Sequence, residues 1–268
     1  MQSLLSTNTN LTVFNREGIM RTMDELIPLY HAGGFERFDL NFCEMMNPHS
    51  DLNGPGASSY IERLLEIRES LGIVYHQAHA PYPRRGQDPR EWDEKILKAM
   101  EYAEALGVKG IVVHPIIGSM KENVDYYSSL IDRTKTGITI LLENMETPEE
   151  IWSSDQILEI IRCLGGRVKV LLDTGHAHMM GLDLAKEIEA YGDDLLGTHI
   201  HDNDGVHDEH LLPGMGNIDW KPVMEAFRKH YKGYLNYEAQ AYSKKCSIND
   251  TEKIIKEAYS VGLSLLAL

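Results

Sequence analysis

Apolar residues follow two alternating rhythms along this chain. Short continuous apolar runs, bounded by polar or turn-forming residues, read as buried strands: "SLLSTNTN", "RFDLNFC", "IVYHQAHAP", "GIVVHPI", "ITILLENM", "KVLLDTGH", "LLGTHIHD" and "GYLNYEAQ". Between them apolar positions return every three or four residues, which is the period of a helix with one buried face. The spacing predicts helices over 17–32 (Ile19, Met23, Leu26, Leu29), 57–71 (Ile61, Leu64, Leu65, Ile67) and 92–106 (Ile96, Met100, Leu106). It predicts others over 121–135, 149–164, 181–191, 220–231 and 249–264, the last with Ile254, Ile255 and Ala258 on one face. "TPEEI" at 147–151 and "NDTEKI" at 249–254 read as helix starts, each a capping side chain followed by first-turn acids.

Eight strand–helix units without a break in composition predict one closed (β/α)8 TIM barrel over residues 1–268, because alternating strands and helices build parallel sheets with right-handed crossovers. An open doubly wound sheet is the alternative. It would normally carry a glycine-rich turn after the first strand, and none is present. At 43% hydrophobic and 25% charged, the 268 residues have ample material for such a core.

Charge changes the picture more than composition does. With 26 basic and 41 acidic residues the formal net charge is −15. That field repels phosphate backbones, and the basic stretches "PRRG" (83–86) and "SKKC" (243–246) are short, so a nucleic-acid partner is not expected. The three cysteines, Cys43, Cys163 and Cys246, have no ligand-like spacing and read as buried or incidental thiols of a reducing compartment. "MQSLLSTNTNLTVF" has no basic segment leading into an apolar one, and no apolar run approaches membrane-helix length. A cytoplasmic protein without a membrane partner is expected; homo-oligomerisation is left open.

The candidate chemistry lies at the ends of the strands. In a barrel of this type the C-terminal strand ends converge on one mouth. Strands three to eight end, in order, on His79, His114, Glu143, Asp173, His199 and Glu238. One such residue is commonly structural, but six in succession, all of metal-ligand type, point to a cation, since carboxylates buried together without one repel. Asp173-x-x-His176 and Asp208-x-His210 extend the set. Oxygen and imidazole donors without thiolates suit Mn²⁺, Mg²⁺, Co²⁺ or Zn²⁺. His178, His201 and His207 are read as exposed or supporting. Tyr75, Tyr82, Trp152, Trp220 and Tyr242 are candidates for a stacking wall at the mouth, and "GMGNIDW" reads as a structural turn in which Trp220 caps the barrel.

In "HAPY", "LLENM", "LLDTGHAHMMG", "THIHDND", "LPGMGNIDW" and "NYEAQ" the chain resembles the xylose-isomerase-like TIM-barrel superfamily over nearly its whole length. Two patterns within it compete. Similarity to the sugar 3-epimerases implies one divalent ion on Glu143, Asp173, His199 and Glu238, with His176 touching substrate oxygens. It also implies a proton shuttle between Glu143 and Glu238 through a metal-stabilised enediolate. Those enzymes commonly carry an arginine where this chain has Asp208-Glu209-His210, which puts that loop's substrate contacts in doubt. Similarity to the endonuclease-IV type implies up to three zinc ions on His79, His114, Glu143, Asp173, His176, His199, Asp208, His210 and Glu238, with Tyr82 following His79. Its DNA-binding loops have no counterpart: "EMMNPHSDLNGPGAS" contains neither Lys nor Arg. The expectation is therefore a metal-dependent isomerase or epimerase of a carbohydrate, with one to three ions, catalytic Glu143 and Glu238, and His176, Tyr82 and Trp220 at the substrate. A multinuclear zinc phosphoesterase and a non-catalytic binding barrel are the alternatives.

Overall fold

In the computed structural model, residues 4–9, 21–83, 87–148, 150–239 and 251–268 are described. Eight parallel strands run in the order β7-β6-β5-β4-β3-β2-β1-β8. They are β1 (Leu5–Asn8), β2 (Arg37–Asn41), β3 (Val74–His79), β4 (Gly110–Val113), β5 (Thr139–Glu143), β6 (Val168–Asp173), β7 (Leu195–His199) and β8 (Leu235–Tyr237). The ring closes just past β7, where the Ile200 N–H donates to Asn236 O at 2.7 Å and the Glu238 N–H to Ile200 O at 3.2 Å. The expected barrel is present.

Helices fill the crossovers: α1 (Met23–Ala32), α2 (Ala57–Leu71), α3 (Asp93–Ala105), α4 (Met120–Arg133), α5 (Ser154–Cys163), α6 (Thr174–Met179), α7 (Leu184–Tyr191), α8 (Trp220–His230) and α9 (Thr251–Leu266). Each lays an apolar stripe on the sheet, such as Ile157, Ile160 and Ile161 of α5. Two expectations need correction. The helix predicted from 149 begins at Ser154, because Ser153 and Gln156 form a capping box there. "TGH" of the sixth apolar run is the start of α6 rather than strand, since the Asp173 carboxylate accepts the His176 N–H at 2.8 Å and caps a turn. Residues 17–20, "PRRG" beyond Pro83, Tyr242, "SKKC" and the Asn249–Asp250 cap lie outside the described residues.

The barrel interior is unequally filled. On β4, β5 and β6 it is apolar, with Val112, Leu141 and Leu171 forming a cluster separate from the outer core. On β8, β1, β2 and β3 it is polar. Ser6, Asp39, Gln77 and Asn236 are all at most 1% exposed. Asp39 Oδ2 accepts from Gln77 Nε2 at 2.8 Å and Asn236 Nδ2 at 3.0 Å, and Ser6 Oγ donates to Asn236 Oδ1 at 2.9 Å. Barrel interiors are usually layers of branched apolar side chains. Here a hydrogen-bonded polar column rises instead to the mouth and supports the groups there. Among the described residues no helix is long and apolar enough to cross a membrane.

Candidate metal centre

Each strand end carries its ionisable side chain to the same point. Glu143 closes β5 with its side chain 1% exposed, and His199 closes β7 fully buried. His199 Nδ1 lies 2.8 Å from Glu143 Oε1 and 2.9 Å from Glu238 Oε2, while Asp173 Oδ2 is 3.8 Å away. Ligand atoms of Glu143, Asp173, His199 and Glu238 all fall within 4.8 Å of one another, so the four residues expected to share one ion are brought together. The His199 ring is steadied from below, where Nε2 lies 3.3 Å from Asp39 Oδ2. A carboxylate behind a histidine of this kind fixes the ring's orientation toward a metal.

A second grouping joins the first. His79 Nε2 and His114 Nε2 lie 3.5 and 3.1 Å from Glu143 Oε2, an oxygen that is buried without a hydrogen-bond partner. The third lies on the far side. The β7–α8 loop brings His210 Nε2 to 2.8 Å from Asp208 Oδ2, and that oxygen stands 3.9 Å from His176 Nε2. All nine expected ligands thus face one mouth.

The imidazoles are oriented for ligation. His79, His176 and His210 place Nδ1 at 2.8, 2.9 and 2.7 Å from the backbone carbonyls of Ala80, Asn144 and Glu238. A carbonyl can only accept, so each Nδ1 carries a hydrogen and each Nε2 is the atom turned toward the carboxylates of the mouth. His210 adopts a left-handed backbone, φ 49°, unlike any other described non-glycine residue. Such strain costs about 1–3 kcal/mol and persists where the surroundings impose it, as at ligand-holding positions.

The electrostatics point the same way. Burial opposes charge on His176, yet Asp173, Glu143 and Asp208 raise it to about 10. Burial also opposes charge on His210, while Asp208 and Glu238 raise it to about 9. Burial would push Glu143 and Glu238 up, but His199 beside both holds them below the usual carboxylate range. The clustered carboxylates therefore demand positive charge, and a divalent ion on these donors meets that demand. The donor set fits a metal.

His201, which the sequence reading left as exposed or supporting, is not exposed. It is fully buried, its Nε2 lies 2.9 Å from Asp173 Oδ1, and its ring stacks on His210 at 4.2 Å. It belongs to two potential ion-holding groups, one with Asp173 and His176 and one with Asp208 and His210. Its signal was the H-x-H alternation of 199 and 201, which sends both rings inward from an extended backbone. Gly175 makes room for it, since any side chain there would collide with the imidazole. His178 and His207 are peripheral, on Asn217 and Asp204 respectively.

Among the described aromatic candidates only Tyr82 lines the cavity at this mouth, a space of about 760 Å³ that also touches His79, His114, Glu143, His176, Asp208, His210 and Glu238. Trp220 as a substrate contact is corrected: it is 5% exposed and donates its indole N–H to Asp202 Oδ2 at 2.9 Å. Tyr75 is buried and donates its hydroxyl hydrogen to Leu64 O. Trp152 is half-buried outside the cavity lining. Of the thiols, Cys43 lines the cavity, Cys163 is exposed rather than buried, and Cys246 lies outside the described residues.

Asp202 holds the ligand-bearing loop in place. It exchanges backbone hydrogen bonds with Leu211, both 2.8 Å. Its carboxylate accepts from the N–H groups of Asn203, Ile218 and Gly214 as well as from Trp220. Asp202→Ala is expected to lower unfolding free energy by about 3–5 kcal/mol, since several buried donors lose a charged acceptor together. Urea unfolding of the metal-free protein measures this; a loss under about 1 kcal/mol would mean that other contacts fix the loop.

The family described as xylose isomerase-like TIM barrel matches this sequence over residues 32–263. An uncharacterized Methanocaldococcus jannaschii protein, MJ1311, is 28% identical over 205 residues, 66% of this chain and 68% of that protein. Inosose isomerase of Bacillus subtilis is 26% identical over 147 residues, 48% of this chain and 53% of that protein. A crystal structure of IolI with a bound zinc atom superposes with a TM-score of 0.76 at 21% identity, covering 98% of each chain.

Proposed function

The chain belongs to the xylose isomerase-like TIM-barrel family, and from that premise we propose that it is a divalent-metal-dependent isomerase or epimerase of a sugar or sugar derivative. The observation that carries this reading is the pair of carboxylates, Glu143 and Glu238, spaced by one imidazole and both lining the cavity. Glu143, Asp173, His199 and Glu238 would hold the ion, which supplies Lewis-acid polarisation of a carbonyl and its neighbouring hydroxyl. One glutamate then takes the proton from the carbon beside the carbonyl, and the other returns a proton to the opposite face. His176, whose Nε2 is turned toward Glu146 and Asp208, and Tyr82 would contact substrate oxygens. The kinship to an inosose isomerase supports the reaction class.

Proton exchange tests it directly. In D₂O, NMR of a panel of ketoses and inososes incubated with the metal-loaded protein is expected to show deuterium entering beside the carbonyl as the isomer forms. No exchange with any of them would overturn the reading. A second reading, a multinuclear zinc phosphoesterase, is favoured by one observation: His79, His176 and His210, all outside the four-residue set, are fixed with Nε2 toward the mouth. Hydrolysis of a phosphomonoester or diester without carbon exchange would establish it instead.

A further inference from the structure

His201 does not line the cavity, yet it is fully buried behind Asp173, one of the four residues assigned to the ion. The chain around it is tied to the start of α6. The Thr174 hydroxyl donates to His201 O at 2.9 Å and accepts the His201 N–H at 3.1 Å, while Asn203 Nδ2 donates to Gly175 O at 2.9 Å. The ring takes the space of an absent side chain, since a Cβ on Gly175 would come within 1.9 Å of its Cε1.

The two ring nitrogens are unequal. Nδ1 is buried without a hydrogen-bond partner, which is unfavourable, so packing alone would be better served by an apolar side chain. Nε2 lies 2.9 Å from Asp173 Oδ1 and 3.1 Å from Oδ2, and because a carboxylate only accepts, Nε2 carries hydrogen there. An ion chelated by both oxygens would have to sit between them, and His201 occupies that side. Oδ1 also accepts the His176 N–H at 2.8 Å, so Oδ2 is the oxygen left for an ion. We propose that His201 is a positioning residue whose Nε2–H holds Asp173 as a one-oxygen ligand of the ion on Glu143, Asp173, His199 and Glu238. Its own ligation is disfavoured. The His201 and His210 rings lie face to face, 4.2 Å apart and 19° between planes, so their nitrogens do not converge on one point. Asp208 Oδ1 stands 3.8 Å from His201 Nε2, beyond hydrogen-bond distance. This inference rests on the metal-dependent reading and is independent of the substrate.

Zn²⁺ and Co²⁺ titrated into the stripped full chain, with a competing chelator, test it. His201→Leu keeps bulk but donates nothing, and it is expected to weaken the tightest Zn²⁺ site about 10–100-fold, the usual effect of losing a partner behind a ligand. His201→Asn, polar but too short to reach Asp173, should do the same if the Leu variant does not fold. His201→Gln, whose amide N–H reaches about as far as Nε2, should recover most of the affinity. The visible Co²⁺ spectrum follows ligand number and geometry; it should match between parent and Gln variant and differ in the Leu or Asn variant. Ion count per chain should be the same in all. If the Gln variant loses an ion, His201 is itself a ligand. If every variant keeps parent affinity and spectrum, even while melting lower, His201 only packs. Either result overturns the proposal and leaves the metal-dependent reading standing, whereas a parent that binds neither ion overturns both.

Discussion

Glu238→Gln is expected to reduce isomer formation by about 10²–10⁴-fold, the usual contribution of a positioned general base or acid. The amide keeps the shape of the side chain but can neither accept nor return the proton. Glu238 lies 2.9 Å from His199 Nδ1 and is held ionised by it against the cost of burial. The amide loses the ion pair with His199, so the metal-free variant is expected to melt below the parent, and rates are compared at a temperature where both are folded. If Glu143 serves the opposite face, deuterium exchange into recovered substrate can survive in this variant while the isomer does not form. Steady-state rates and exchange measured on the same samples separate the two steps. Turnover within tenfold of the parent would remove Glu238 from catalysis.

Chelation is expected to have the second large effect. Stripping the protein of divalent metal should abolish activity, and adding back the metal found in the purified protein should restore it. An ion present at a thousandfold excess over its dissociation constant stabilises the fold by about 4 kcal/mol, so the melting midpoint should fall on stripping. Affinity should also weaken in acid, because the imidazoles must be neutral to ligate and protons compete for them. Elemental analysis before chelation gives the count. One ion per chain fits Glu143, Asp173, His199 and Glu238. Two or three zinc ions would also engage His79 and His114 on one side, and His176, Asp208 and His210 on the other. An activity that survives complete stripping, with an unchanged midpoint, would contradict metal dependence.

Much of this architecture is legible in the chain before folding. A parallel barrel forces strands to be apolar, and helices to be amphipathic, in strict alternation, so the rhythm of the sequence names the fold. Because every strand runs the same way, the last residue of each apolar run is delivered to the same mouth. His79, His114, Glu143, Asp173, His199 and Glu238 could therefore be read as one site from linear order alone. Spacing also linked Asp173 to His176 and Asp208 to His210, since such neighbours are set by local backbone geometry.

Tertiary structure decided what depends on contacts between distant segments. Asp39 supports His199 across 160 positions of sequence, a relation no local pattern encodes. His201 looked like one more loop histidine, yet closure of the ring beyond β7 keeps the backbone extended through Ile200 and buries the next inward-facing ring against Asp173. Trp220 looked like a sugar platform, but the Asp202 carboxylate claims its N–H and packs it under the loop. Periodicity fixes which face of an element is buried; which partner a buried polar group meets is fixed only when the barrel closes.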